Sequence, residues 1–306
     1  MALPADWADR LTLPLIAAPM TGVSGPELVA TACRGGVIGS FPTHNAATPE
    51  LLDEWLTRIA ADLTPEAAPI APNLVVHRTN ARLTADLDLL IAHRIELVIT
   101  SVGSPAPVIE PLHRAGCRVF ADVATLRHAE RALAAGVDGL ILLTAGAGGQ
   151  TGSANPFAFV RAVRERFSGP LVLAGGISDG HALLAAQALG ADLAYMGTGF
   201  IATPESLARE DYQAAVVAAT LDDVRETAHI GGLPANLLTE WLDAHAAQQV
   251  SAGDFQTERL LGGQTVWSAG HSVSGVHGVI PAAEVIARVR REYHRARAAL
   301  LETACK

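Results

Sequence analysis

LVLAGGISDGHALLAAQALGADLAYMGTGF, residues 171–200, contains one full beat of the fold and the start of the next. Leu171–Ala174 is a short apolar run that breaks at Gly175-Gly176. A helix-like stretch from Asp179 to Leu189 follows and stops at Gly190, and a second apolar run, Leu193–Met196, ends in Gly197 and Gly199. Continuous apolar runs of four residues suit strands covered on both faces, which is how parallel sheets are buried. A helix between two such strands makes a βαβ unit, and the glycines after each strand mark loops in which backbone must turn tightly or approach a ligand.

The same beat repeats upstream. Apolar runs near Leu15–Ala18, Val37–Ser40, Ile70–Val75, Leu97–Thr100, Arg118–Ala121 and Gly139–Leu143 are each followed by helical patterning. The predicted helices run from Pro26 to Arg34, Pro49 to Ala61, Ala85 to His93, from near Pro105, Leu126 to Ala135, and from about Pro156. In the second of these Leu51, Leu52, Trp55, Leu56 and Ile59 keep helical spacing. Gly35-Gly36, Gly116, Gly136 and Gly190 fall where helices end. Eight strand–helix beats at intervals of about 20–30 residues fit an α/β fold of the (β/α)8 barrel type, a TIM barrel, better than an open doubly wound sheet. After about Thr203 the rhythm fails. Ala208–Thr220 and Asn236–Gln249 read as helices with no convincing strand between them, so residues 206–263 are expected to be a small helical cap or insertion near the C-terminus. Residues 1–205 and 264–306, the latter with a final helix from Pro281 to about Glu302, then form the barrel.

Bulk properties narrow the function. Half of the 306 residues are hydrophobic and 17% are charged, enough for a large core. Twenty-two Lys and Arg against 31 Asp and Glu give a formal charge of −9, which disfavours nucleic acid and anionic membrane as partners. Cys33, Cys117 and Cys305 form no CxxC pair, and no two histidines have zinc-motif spacing, so no metal site is expected. The opening MALPADWADRLTLP lacks an apolar signal core and no run is long enough to span a membrane, which points to the cytoplasm. A GxxxxGK[ST] motif is missing, against P-loop enzymes.

In a barrel of this kind the chemistry belongs to the loops after the strands. The loops after the last two strands, with Gly175, Gly176, Met196, Gly197 and Thr198, would offer backbone N–H groups to a phosphate. The helix starting near Asp179 would add a positive dipole end. Taken one loop at a time, these glycines equally suit plain tight turns. Thr144–Gly152 is a run of small residues around Gln150, which suggests backbone lying against a planar ring with Gln150 facing a substrate; Gln150 could also cap its own loop. Ala18, Pro19, Met20 and Thr21 end the first strand, and the flat, polarizable pair Pro19 and Met20 suits an aromatic ring, though Met20 also reads as a core residue.

Together these stretches resemble one family. PLIAAPMTGVSGPELVATACRGGVIGS, APNL, VDGLILLTAGAGGQTG, LAGGISDG and LGADLAYMGTGFIAT, with GGLPANLL and WSAGHSV later on, are similar in order and position to nitronate monooxygenases, formerly 2-nitropropane dioxygenases. The resemblance implies non-covalent FMN, a barrel with a small second domain, and oxidation of alkyl nitronates by O2. It places the phosphate at Gly175, Gly176, Gly197 and Thr198, and Met20, Asn73, Gly148 and Gly149 near the flavin ring or its tail. One departure matters. The family's loop typically carries a histidine that acts as base, and here Gln150 stands in that place; an amide donates hydrogen bonds but takes no proton at neutral pH. His271 is a substitute base on this reading, although a loop-structuring role suits it as well; His44 and His77 also sit at loop positions. The expected partners are a small-molecule substrate and O2, and a homodimer stays open. Three other readings compete: an FMN-dependent enoyl-thioester reductase using NADH or NADPH, a flavin-free phosphate-binding isomerase or lyase, and a flavin-binding protein without turnover.

Overall fold

The computed structural model describes residues 3–246 and 266–304. Barrel strands run at Leu15–Ala17 (β1), Ile38–Gly39 (β2), Asn73–Val75 (β3), Leu97–Ser101 (β4), Arg118–Val123 (β5) and Gly139–Leu143 (β6). A two-residue strand Gly149–Gln150 (β7) precedes the last two barrel strands, Leu171–Ala174 (β8) and Leu193–Met196 (β9). All pairings in the eight-stranded sheet are parallel, in the order β2-β1-β9-β8-β6-β5-β4-β3. Its two edges meet. Parallel bridges join Gly39 to Ile70 and Pro42 to Asn73, with Ala71 N donating to Gly39 O and Asn73 N to Phe41 O, both at 2.8 Å. The sheet is therefore a closed cylinder, as its eightfold rhythm predicts.

Alternation along each strand divides the core in two. On β5, Val119, Ala121 and Val123 face outward into the layer shared with the helices, whereas Phe120 points into the lumen beside Ile16, Ile38, Ile99, Ile141 and Val172. A short helix at Ala5–Ala8 closes the bottom. Its Trp7 is buried against Phe120, with ring centroids 6.1 Å apart, and its indole N–H donates to Glu96. Arg10 grips the same Glu96 with two hydrogen bonds of 2.8 and 2.9 Å. The final helix, Ala282–Ala304, lies across Gly180–Leu189, and Tyr293 donates to Gln187 at 2.5 Å.

The segment after Thr203 differs from its sequence pattern. Glu210–Ala218 is helical, but Val224–Thr227 (β10) and Ala235–Leu238 (β11) are antiparallel strands, and β11 also pairs with β7. The helix expected from Asn236 thus begins only at Thr239 and runs to Ala244. Leu237, Leu238, Trp241 and Leu242 carry helical spacing, yet β7 and β10 offer backbone partners to Ala235–Leu238, and tertiary pairing overrides a short local preference. Residues 247–249 of that expected helix, and 247–265 of the cap and the barrel's resumption at 264, lie outside the described residues.

Candidate active site

A cavity of about 1520 Å³, its open mouth included, lies at the C-terminal ends of the barrel strands. The loops after β1, β2, β4, β6, β8 and β9 contribute to its walls, together with Asn73 and Val75 of β3, and the sheet of β7, β10 and β11 with its connections covers one side.

The loop after β1 is fixed from behind. Ala18 N donates to Met196 O at 2.9 Å, and the Asn45 side chain ties Gly22 N, Met20 O and Ser24 O through three hydrogen bonds of 2.8–2.9 Å. Ala18, Pro19, Met20 and Thr21 all line the cavity, and a side chain at Gly197 would run into Met20 Sδ at 3.3 Å. Asn73 lines it from β3, its Oδ1 accepting from the Ser101 hydroxyl at 3.0 Å.

Gly175, Gly176, Gly197 and Thr198 converge on the same wall. Gly175 and Gly176 have φ of 120° and 75°, a left-handed conformation that favours glycine. A methyl group on Gly175 would strike Thr144 Oγ1, while one on Gly176 would meet nothing within 4 Å, only the open cavity. Among the described residues no backbone acceptor serves the amides of Gly175, Gly176, Gly197 or Thr198. Four such donors on one wall of the cavity form a cradle for an anion. The helix Gly180–Leu189 does not join it. Asp179 caps that helix at Ala182 N, Glu292 accepts from Gly180 N at 3.1 Å, and neither Asp179 nor Gly180 reaches the cavity, so two carboxylates already occupy the dipole end.

The loop after β6 holds Gln150. Its strand pairing with Ala235, and the bonds from Asn236 to Ala147 O and from Thr151 N to Pro234 O, lock the residue in place. Its side chain lines the cavity and bonds no described residue, so it does not cap its own loop. Gly148 has a different task from the one its sequence suggests. A Cβ there would lie 2.7 Å from Gly270 N, so the glycine lets two backbones touch as well as facing the cavity.

Two expected residues fall elsewhere. Met196 is buried in the outer core and does not line the cavity; its side chain follows the strand alternation away from the lumen. His271 is exposed, its ring packs against Gly146, and it is also absent from the lining. His44 does line the cavity. It bonds Thr21 Oγ1 at 3.0 Å, its Nδ1 is buried without a partner, and burial pushes its pKa down to about 4, so the ring is neutral near pH 7.

Sequence reasoning missed Asp122, Tyr195 and Val102. Asp122 and Tyr195 line the cavity, with Asp122 Oδ1 and Tyr195 Oη both buried without hydrogen-bond partners. Burial raises the Asp122 carboxyl to about 7 and drives the Tyr195 phenol well above its ordinary value. Period-two alternation from Phe120 would have turned Asp122 inward at the top of β5. Val102 lines the wall with φ of 51°, a strained conformation for a β-branched residue.

A family model described as nitronate monooxygenase matches residues 67–296. The chain belongs to the nitronate monooxygenase family. A nitronate monooxygenase of Paraburkholderia phytofirmans is 28% identical, over 91% of this chain and 92% of its own length. Among solved structures, a nitroalkane oxidase from Streptomyces ansochromogenes superposes with a TM-score of 0.84 at 24% identity, covering 96% of this chain and all of its own. FabK from Thermotoga maritima gives 0.81, also at 24% identity, with 96% and 97% covered, and both likenesses bear on the fold. As a nitronate monooxygenase relative the chain is an FMN-dependent oxidoreductase. The cavity fits that cofactor, since the space above Gly176 and the unpaired amides around it are what a phosphate requires.

Proposed function

We propose that the protein oxidises alkyl nitronates, or similarly stabilised carbanions, with O2 as the acceptor. Gly175, Gly176, Gly197 and Thr198 would hold the FMN phosphate, and Ala18, Pro19, Met20, Thr21, Asn73, Gly148 and Gly149 its ring system and tail. When bound, FMN supplies the two-electron chemistry and the transfer to O2. Gln150 carries the reading. It is an unpartnered amide donor on the cavity wall; the sequence resemblance would put it where the family carries its base, and it can bind a nitronate oxygen through N–H without removing a proton. Substrate therefore arrives already ionised. Ile230, Leu233 and Leu237 on the covering segment would pack the alkyl part and keep water away from the reacting carbon. Among the described lining residues there is neither Lys nor Arg, which favours a small anion over a phosphorylated thioester carrier.

The test is oxygen uptake by the purified yellow protein with preformed nitronate and with the neutral nitroalkane of the same skeleton. Nitronate is expected to turn over at least about a hundredfold faster, the usual reach of a missing general base. Equal rates overturn the role given to Gln150, and a colourless protein that refuses FMN overturns the whole reading.

A further inference from the structure

Asp122 has no part in holding the cofactor phosphate, yet it is the sole carboxylic residue among the described lining of the cavity. It sits at the C-terminal end of β5 on the lumen face, two residues beyond Phe120, and its Oδ1 is buried without a partner. The strands on either side, β4 and β6, present no titratable residue. Tyr195 of β9, His44 after β2 and Tyr212 are the other titratable groups in the described lining of the cavity, and the Tyr212 hydroxyl donates to Ser268 O. All three are uncharged around neutrality, burial lowering His44 and raising both phenols. Nearby cations are turned elsewhere: Arg118, at the far end of β5, lies over the Trp7 ring, and Arg82, which acts on His44, is paired with Asp86. An ionised Asp122 therefore confronts the cavity with an uncompensated negative charge.

We infer that Asp122 selects the charge of what the cavity accepts: protonated, its hydroxyl donates to a bound oxyanion; ionised, it repels one. The inference rests on the reading that the cavity receives a substrate oxyanion beside FMN. Anion binding and proton binding at Asp122 are then linked, and each favours the other. Anion affinity is full while the carboxyl keeps its proton and falls as pH rises through about 7, where burial places the group. The limiting slope is roughly tenfold per pH unit for one linked proton.

The probe is nitrate, a planar oxyanion without a C–H bond, titrated calorimetrically into the FMN-loaded protein between pH 5.5 and 9. A neutral nitro compound without an α-hydrogen, 2-methyl-2-nitropropane, serves as control. In the wild-type chain nitrate should bind most tightly below pH 7 and lose about tenfold per unit above it, with the control flat. Asp122→Asn keeps the donor and removes the ionisation, so nitrate affinity should become independent of pH; Asp122→Ser, a second variant without a titrating group, should flatten it too. No nitrate binding at any pH, a flat wild-type curve, or an unchanged slope in either variant overturns the inference. The nitrate slope with no oxidation of nitronates would sustain Asp122 and defeat the proposed reaction, whereas nitronate turnover with a flat nitrate curve would do the reverse.

Discussion

Adjacent glycines in the loop after β8 make a decisive pair of substitutions, because a methyl group at each meets a different fate. Gly175→Ala places its Cβ against Thr144 Oγ1, with Ala145 O and Ala147 N each 3.2 Å away, at a φ of 120° that alanine adopts only under strain. The backbone cost is about 1–3 kcal/mol. Thr144 must swing aside and give up its 2.7 Å hydrogen bond to Ala174 O, worth about a further 1 kcal/mol. The folded protein should thus lose about 2–4 kcal/mol even without cofactor. Gly176→Ala meets no atom, so it costs only about 1–2 kcal/mol for a left-handed alanine, but its methyl projects into the space assigned to the phosphate. Urea unfolding of the flavin-free proteins, with FMN titrated by fluorescence quenching, separates the two. G175A should unfold at distinctly lower urea, whereas G176A should keep most of its stability and lose FMN affinity by at least about tenfold, equivalent to 1.4 kcal/mol. If G176A binds FMN as tightly as the wild type, the cradle has been assigned to the wrong wall.

Gln150→His restores a proton acceptor, so kcat/KM for neutral nitroalkanes should rise by about 10²–10⁴ while nitronate turnover changes little; oxygen-electrode rates on both substrates check it. Asn45→Ala removes the three hydrogen bonds that fix Met20–Ser24, and a loss of about 2–3 kcal/mol in urea should accompany weaker FMN binding. The folded-state pKa of Asp122 is raised, so its contribution to stability is present at low pH and is lost as pH climbs from about 4 through about 7. His44 acts oppositely in nearly the same window: its lowered pKa means the unfolded chain binds the extra proton, and stability is lost as pH falls from about 6.5 toward about 4. Asp122→Asn should accordingly be more stable than wild type at pH 8, by no more than about 4 kcal/mol, with the difference gone near pH 4; equal unfolding midpoints at pH 8 would show the carboxyl is not buried as described.

The barrel was legible because its signals are local and repeated. A four-residue apolar run such as Leu171–Ala174, a helix such as Asp179–Leu189 and a stop such as Gly190 can each be read without knowing the others. Much of the site was legible for the same reason, since Gly175, Gly176 and Gly197 stand directly after strands. The covering sheet was not, because Gly149–Gln150 and Ala235–Leu238 become strands only by meeting each other across 85 residues of chain. Met196 and His271 illustrate a second limit. The direction of a side chain depends on strand alternation for one and on the path of residues 266–271 for the other. Asp122 was hidden for a simpler reason: among 31 acidic residues, a single inward carboxylate has no sequence mark until its strand is paired.

The Trp7 stopper has a consequence for traffic. Indole against Phe120 and the Arg10–Glu96 clasp fill the lower end of the cylinder, opposite the strand ends where the cavity lies. On the proposed reaction, substrate, dioxygen and products would pass the mouth of the cavity beside the three short strands that cover it. A bulky product held there would slow the entry of the next oxygen molecule, so a larger alkyl group should lengthen the cycle through the shared mouth.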